Sequence, residues 1–370
     1  MLITFFVPKC TPDNSHGRYV IELAKRLGHE HRVTVHAGAF WSPLRSMVSC
    51  RFLPVPNRPA VGRLAALWAA SMIQNRRLPA DIVHIQGADA PVGNVVTAHC
   101  CNAAMHSAAD GRGSLSRKLN YSIGMAVERH CFTKPSTRKV IAVSHQVKAD
   151  IEQYYGVDPH KIVVVPHGVD GEAFHPRNRS TSRAQVRRRL GLSDTDFVAL
   201  FVGGDYRLKG LAPLLQAAKR VPVVRILAAG VHHDPELDRI IHQNGLDGCV
   251  ALLGNASDMG SLYSAADCFV LPTRYDTFSL ATLEAMASGL PVIVSRAAGV
   301  SELLTSGQDC LVLDDPDNVD LLTEWLGKLI TDEGLRVALG SSARKTAERY
   351  SWEETAARTA SVYRATLGMA

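Results

Sequence analysis

The stretch TRYDTFSLATLEAMASGLPVIVSRAAGVSELL, residues 273–304, carries two acidic residues, Asp276 and Glu284, with seven residues between them. Across that gap the chain passes from loop to helix, because Leu280, Leu283, Met286 and Ala287 recur at helical spacing and Gly289 supplies a stop. The helix is expected to start near Phe278 or Ser279. Free backbone N–H groups and the positive dipole end of such a start suit an anion such as a diphosphate. Glu284 lies little more than one turn further in, and helical side chains lean toward the N-terminus, so its carboxylate can accept two hydroxyl hydrogen bonds, as from the cis-diol of a ribose. Together these features predict a nucleotide-diphosphate pocket. Two plainer readings stand beside it: Asp276 as a helix N-cap, and Glu284 on a solvated helix face.

The stretch resembles the signature of retaining glycosyltransferases of the GT-B architecture, the group 1 or family 4 type, in which Glu, seven residues and Glu occur within a phrase that here reads FSLATLEAMASGLPVIVSRAAGVSELL. The resemblance implies an α/β fold of two Rossmann-like, doubly wound domains facing across a cleft, with a C-terminal helix crossing back to the first domain. The implied bounds are an acceptor-binding domain over 1–176, a nucleotide-sugar-binding domain over 177–349 and the returning helix over 350–370. It implies that Glu284 holds the ribose, that the N–H groups around Phe278, Ser279 and Leu280 hold phosphate, and that Asp276 touches the donor sugar. The family has Glu at that last position, one methylene longer.

Further positions follow from the same likeness. Lys209, just before Gly210, matches a lysine that clasps the donor diphosphate as a mobile point charge. The family often adds an arginine where this chain has Gly204, so either Arg207 substitutes or Lys209 acts alone. In VALLGNASD (250–258) the backbone at Leu253 and Gly254 resembles the seat of the base. The first loop, PKCTPDNSHGR, keeps only Gly17 of a paired glycine and has His16 before it. His99, in the phrase VVTAH, looks like the position whose imidazole meets the donor sugar. The family favours Asn where His167 stands.

The residues also speak without the resemblance. LITFFV (2–7), DIVHIQG (81–87), NVVTAHC (94–100) and KVIAVS (139–144) are short apolar, β-branched runs of the kind expected for buried parallel strands. Between them YVIELAKRLG makes an amphipathic helix, so the chain opens as a βαβ unit. Ligands in such sheets gather at strand carboxyl ends, which selects His99, Gln86, Gly87 and Ser144. No GxGxxG follows the first strand, and a dinucleotide fingerprint is therefore missing.

A chain of 370 residues, 46% of them hydrophobic, is long enough for two cores. No apolar run approaches the ~20 residues of a membrane span, and MLITFFVPKC reads as a strand and not as a secretory signal, so a cytoplasmic protein is expected. Eight scattered cysteines without metal-ligand rhythm read as reduced, buried residues. Two Asp-x-Asp triplets, at 194–196 and 315–317, sit in turns away from the expected diphosphate, so no metal and no cofactor is expected. The net charge of +6 is uneven: residues 112–139 hold seven Lys/Arg against Glu128, and residues 177–189 hold six Arg and no acid. The second window reads as a solvated linker helix, since no aromatics interleave with the arginines as nucleic-acid binding would need. For residues 112–139 two readings stand, a helix packed on the sheet and a peripheral contact with an anionic membrane.

The expected activity is transfer of a sugar from a nucleotide-sugar donor, UDP-linked first and GDP-linked next, to a sugar, glycolipid or other hydroxyl acceptor in cell-envelope or glycan biosynthesis. His99, Asp276 and Lys209 form the expected catalytic set. A nucleotide-sugar epimerase and a non-catalytic nucleotide-sugar-binding protein are the alternatives. Glu284→Ala is expected to abolish nucleotide binding in calorimetry; unchanged affinity removes the ribose assignment.

Overall fold

A computed structural model describes residues 1–54, 60–77, 79–108 and 115–369, the side chains of residues 60, 61, 63 and 115–118 excepted. Its contacts divide the chain into two units, Met1–His167 with Trp352–Ala370, and Gly168–Ser351.

In the first unit seven parallel strands, β1 (Leu2–Phe6), β2 (Arg32–Ala37), β3 (Ser49–Phe52), β4 (Ile82–Gln86), β5 (Val95–Ala98), β6 (Lys139–Ala142) and β7 (Ile162–Val164), lie in the order β3-β2-β1-β4-β5-β6-β7. The order reverses between β1 and β4, which makes that junction the unit's switch point. Helices α1 (Ser15–Leu27), α2 (Ala60–Arg77), α3 (Asn102–Ala108), α4 (Leu115–Thr133) and α5 (His145–Tyr155) connect the strands. β1 is buried at every residue after Leu2 because helices cover both faces of a parallel sheet. The side chain of Asn14 caps α1 by accepting from Gly17 N at 2.8 Å, and Tyr19, Val20, Leu23, Ala24 and Leu27 form the helix's buried stripe.

The second unit repeats the plan with six parallel strands. They are β8 (Phe197–Val202), β9 (Val224–Ala229), β10 (Val250–Gly254), β11 (Cys268–Leu271), β12 (Val292–Ser295) and β13 (Leu311–Leu313), in the order β10-β9-β8-β11-β12-β13. Its helices are α6 (Asn178–Arg189), α7 (Leu211–Arg220), α8 (Pro235–Gln243), α9 (Met259–Ala265), α10 (Leu280–Ala287), α11 (Val319–Thr331) and α12 (Glu333–Ala347). The switch point lies between β8 and β11. The last helix, α13 (Trp352–Thr366), returns to the first unit. There Arg26 of α1 meets Glu353 at 2.6 Å, Trp352 is wholly buried, and the Tyr363 hydroxyl lies 2.6 Å from His84 Nδ1. Burial pushes His84 down to about 3, so this ring is a neutral structural tie between β4 and α13.

Residues 168–176, which the sequence reading places in the first domain, pack with the second unit: Val169 N donates to Tyr350 O, and Arg344 donates to the Phe174 carbonyl. The arginine-rich stretch also needs correction, for α6 is not a solvated helix. Arg179, Arg183 and Arg187 recur every four residues and so share one face, which turns toward Asp267 at 3.0, 2.7 and 3.3 Å. Arg183 and Arg187 also donate to carbonyl oxygens at the end of α9, and Arg187 is 1% exposed. Desolvation alone would raise Asp267, but the arginines hold its carboxyl below the ordinary range.

The basic window 112–139 resolves into α4 and the turn after it, with Arg112 and the side chains of Arg117 and Lys118 outside the described residues. Lys134 is buried, donates to the Pro91 and Val92 carbonyls at 2.7 and 2.6 Å, and is lowered to about 8 by burial. Arg129, Arg138 and Lys139 likewise donate to backbone oxygens. Leu119 on α4 is 60% exposed. Among the described residues no helix is long and apolar enough to cross a membrane. None of the eight cysteines is in a disulfide.

The tightest backbone constraint in the second unit is Gly210, which precedes α7 with φ +79° and whose added Cβ would lie 1.8 Å from the Pro272 carbonyl oxygen. Gly210→Ala is expected to destabilise the protein by ~3 kcal/mol or more, read as a lower midpoint in urea unfolding; an unchanged midpoint would show that the two loops can part.

Candidate active site

Lys209 and Asp276 reach one place from two neighbouring strands. β8 ends at Val202 and runs through Gly203 and Gly204 to Lys209; β11 ends at Leu271 and runs through Thr273 and Tyr275 to Asp276. The loops are stitched together: Arg274 N donates to Leu208 O at 2.8 Å, and Thr273 Oγ1 donates to Leu208 O at 3.1 Å. Lys209 Nζ then lies 2.7 Å from Asp276 Oδ2 and 3.4 Å from the Tyr275 carbonyl oxygen. A Cβ on Gly203 would come 2.8 Å from Lys209 Cγ, so this glycine makes the room through which the lysine stem folds back over the strand end. Asp276 itself is braced by backbone bonds to Ala297 O at 3.0 Å and from Gly299 N at 2.8 Å.

The N-cap of α10 is Ser279 and not Asp276. Ser279 has φ +74°, the one positive φ outside glycine among the described residues, and its hydroxyl accepts from Thr282 N. A β-carbon-bearing residue in the left-handed region marks a turn held by its surroundings. Here Phe278 on one side is 1% exposed and its carbonyl accepts from Val300 N at 2.7 Å. The strained turn leaves the first N–H groups of α10, those of Leu280 and Ala281, at the helix end without intrahelical acceptors. An acidic side chain and a lysine ammonium thus stand beside a helix N-terminus, the arrangement that accommodates an anion with its own counter-cation.

Glu284 is buried, which corrects the solvated-face reading, and one of its carboxylate oxygens accepts from the Tyr263 hydroxyl at 3.0 Å. Tyr263 gave no signal in the sequence, because it comes from α9 and meets Glu284 only through the fold. Arg207 does not join Lys209: it pairs with Glu236 at 2.5 Å and lies over the Tyr206 ring. Gly204 has open space around its missing side chain, with the Gly230 carbonyl oxygen 3.8 Å away. At the end of β10, Gly254 O accepts from Gly230 N at 2.7 Å, while Leu253 packs on a core of Val186, Ala229, Leu262 and Ala265. Of the predicted donor residues, the fold joins Lys209 and Asp276 at the β8/β11 switch point, with Phe278, Ser279 and Leu280 at the start of α10 and Glu284 in that helix's second turn. Gly204, Leu253 and Gly254 lie along the same sheet edge.

In the first unit His99 follows β5, and Gln86 ends β4. His99 Nε2 lies 2.8 Å from Gln86 Oε1. Its ring is stacked with those of His16 at 4.5 Å and His167 at 5.5 Å, and Tyr19 meets it edge-on at 4.8 Å. His16 Nδ1 is 3.1 Å from Asp89 Oδ2. Burial, and after it the neighbouring His16, His167 and His84, hold His99 well below the ordinary histidine range. Burial opposes charging His16 as well, but the charge of Asp89 and its hydrogen bond leave His16 raised. Gly17 is buried in the first turn of α1, where a Cβ would lie 2.4 Å from the Lys9 carbonyl oxygen, so its immediate role is to let loop and helix touch. Ser144 caps α5 by accepting from Val147 N.

Among the described residues no group of three His, Cys, Asp or Glu side chains is placed to hold a metal. Asp196 binds Ser193 N and Arg225, and Asp317 pairs with Arg274, so both triplets are engaged in turns. Cavities of about 530 and 560 Å³ lie elsewhere, one at the amino ends of β1–β3 and one between Pro176 and Arg344, and neither includes a predicted residue. Volume alone does not locate the chemistry here.

Two family models match the chain, Glycosyltransferase Family 4 over residues 16–173 and Glycosyl transferases group 1 over residues 182–346. A D-inositol 3-phosphate glycosyltransferase of Corynebacterium urealyticum is 34% identical over 231 residues, covering 58% of this chain and 54% of the relative. The chain spans about half the length of the curated relatives it matches. Among solved structures, WaaG, a glycosyltransferase involved in lipopolysaccharide biosynthesis, matches with a TM-score of 0.83 over 98% of this chain and 99% of its own, at 22% identity. Anabaena Alr3699/HepE in complex with UDP and glucose matches with a TM-score of 0.75 over 98% of each chain, at 20% identity. At these identities the structural likeness speaks for the fold alone, two Rossmann-like units of the GT-B class.

Lys209→Ala leaves Asp276 without its counter-ion beside the α10 N-terminus. Affinity for a nucleoside diphosphate is expected to fall by ~2–3 kcal/mol in calorimetry; wild-type affinity contradicts the assignment of the lysine.

Proposed function

Because this chain belongs to the group 1, family 4 glycosyltransferases, we propose that it transfers a sugar from a nucleotide-sugar donor to an acceptor hydroxyl, with retention at the anomeric carbon and without a metal ion. The observation that carries the reading is Lys209 Nζ at 2.7 Å from Asp276 Oδ2, beside the N-terminus of α10 at the β8/β11 switch point. The ammonium of Lys209 and the carboxylate of Asp276 neutralise each other. An arriving diphosphate takes over the ammonium and the helix N–H groups, and the carboxylate is left to accept sugar hydroxyls.

In this reading Glu284 anchors the ribose and Tyr263 holds its carboxylate in place. Lys209 and the N–H groups near Phe278, Ser279 and Leu280 stabilise the leaving diphosphate as its charge develops. Asp276 orients the sugar, and His99 of the first unit is the further sugar contact that the family resemblance implies. By the same resemblance the leaving phosphate helps to deprotonate the acceptor. With Arg207 committed to Glu236, Lys209 is the cationic side chain assigned to the diphosphate.

UDP is the favoured nucleotide and GDP the next; the complex of Alr3699/HepE with UDP and glucose supports the first. A polyol, sugar or glycolipid acceptor in cell-envelope or glycan synthesis is supported by the names of the inositol-phosphate enzyme and of WaaG. For an anionic membrane, residues 112–139 supply the exposed Leu119, whereas Arg129, Lys134, Arg138 and Lys139 donate to carbonyl oxygens within the protein.

The reading is tested by nucleoside diphosphate release across UDP-, GDP-, ADP- and TDP-sugars, with and without EDTA. Release that requires an acceptor and persists in EDTA is expected. Sugar isomerisation without release would identify an epimerase, binding without turnover a non-catalytic protein, and loss in EDTA restored by manganese a metal-dependent enzyme.

A further inference from the structure

His16 and His167 are the two positions in the first unit where the sequence departs from the family's glycine and asparagine, and the fold brings both onto the same ring. Their centroids lie 4.5 and 5.5 Å from that of His99, with interplanar angles of 26° and 7°. Tyr19 meets both His99 and His167 edge-on, at 4.8 and 5.2 Å, and the wholly buried Trp352 lies 5.9 Å from His167. His16 is in turn oriented by Asp89 at 3.1 Å and packs over Gly87, whose added Cβ would touch its Cε1 at 3.6 Å. A stacked column cannot converge its ring nitrogens on one ion, because their lone pairs lie in nearly parallel planes, so the cluster does not read as a metal site.

Gln86 completes the arrangement. Its Oε1 lies 2.8 Å from His99 Nε2 and its Nε2 is buried with no partner among the described residues. An amide oxygen accepts, so His99 carries its proton on Nε2 and presents Nδ1 as an acceptor. Nδ1 makes no hydrogen bond to any described residue. Gln86 Nε2 and His99 Nδ1 are thus one donor and one acceptor left for a ligand at the carboxyl ends of β4 and β5, the pair that a sugar hydroxyl uses.

We propose that His16 and His167 are positioning residues that clamp the His99 imidazole by stacking, with Gln86 setting its tautomer, so that Nδ1 is held as a neutral acceptor for a sugar hydroxyl. The proposal rests on the reading of His99 as a sugar contact. The charged and titratable groups that face His99 are His16, backed by Asp89, with His167, His84 and Tyr19. Burial, and after it His16, His167 and His84, keep a second proton off His99 Nδ1 as the pH falls, so the acceptor persists into mild acid. Removing either flanking ring opens the site to water and deletes a titratable neighbour that opposes the charging of His99, and both changes raise the pH at which His99 charges.

The test uses the 370-residue chain labelled with ¹⁵N-histidine, in wild type and in H16G and H167N, which restore the family's residues and so limit the risk of misfolding. Ring nitrogen shifts are followed across pH, with H99A identifying the His99 signals, alongside kcat and KM for the donor. His99 is expected to stay neutral with its proton on Nε2 through mild acid in wild type. In both variants its titration is expected to move up by about one pH unit or more, with the acidic limb of kcat moving alongside. Titration of His99 unchanged in both variants overturns the column. Wild-type turnover in H99A overturns the role of His99 itself, whatever the titrations report.

Discussion

The second unit depends on a backbone contact that admits no side chain. Gly210 sits in the left-handed region with the Pro272 carbonyl oxygen where a β-carbon would be, 1.8 Å from it. That closeness lets the loop after β8 lie on the loop after β11. The hydrogen bonds from Arg274 N and Thr273 Oγ1 to Leu208 then fix the register, and Lys209 has little choice but to fold back toward Asp276. A cation held by geometry and not by chance rotamers loses little entropy when an anion arrives.

Around this contact the site is built of opposed demands. The ion pair of Lys209 and Asp276 sets a cation and an anion side by side before the α10 N-terminus. The Ser279 turn stores backbone strain so that the start of α10 points its N–H groups outward. The carboxylate of Glu284 is buried, which costs desolvation, and the Tyr263 hydroxyl offsets part of that cost. The first unit solves a different problem with rings and not charges: three imidazoles, a tyrosine and a tryptophan keep one histidine neutral and in one plane.

Structural use of charge runs through the rest of the molecule. Arg179, Arg183 and Arg187 are anchors for Asp267 and the end of α9, and Lys134 is a buried donor to two carbonyls. Both windows read as basic surface in a one-dimensional count. In three dimensions their cations close helix ends and loops, because a long guanidinium or ammonium side chain satisfies carbonyl groups that no backbone N–H reaches.

The two-unit, doubly wound class and the roles of Asp276, Glu284 and Lys209 followed from the family resemblance, while local pattern alone determined the βαβ opening, the apolar runs read as strands over 2–7, 81–87, 94–100 and 139–144, and the helix after Asp276. Those features live in the periodicity and spacing of neighbouring residues, which short-range sterics and burial translate directly into structure. β3 and β9 escaped that reading, the first too short and exposed for a signal and the second lying in a stretch without distinctive alternation. Only tertiary structure decided that Ser279 and not Asp276 caps α10, that Tyr263 holds Glu284, that Arg207 turns to Glu236, and that His16 and His167 stack on His99. Each of these joins residues from separate elements, and which side chains meet is set by strand order and loop packing, information that a linear spacing does not contain.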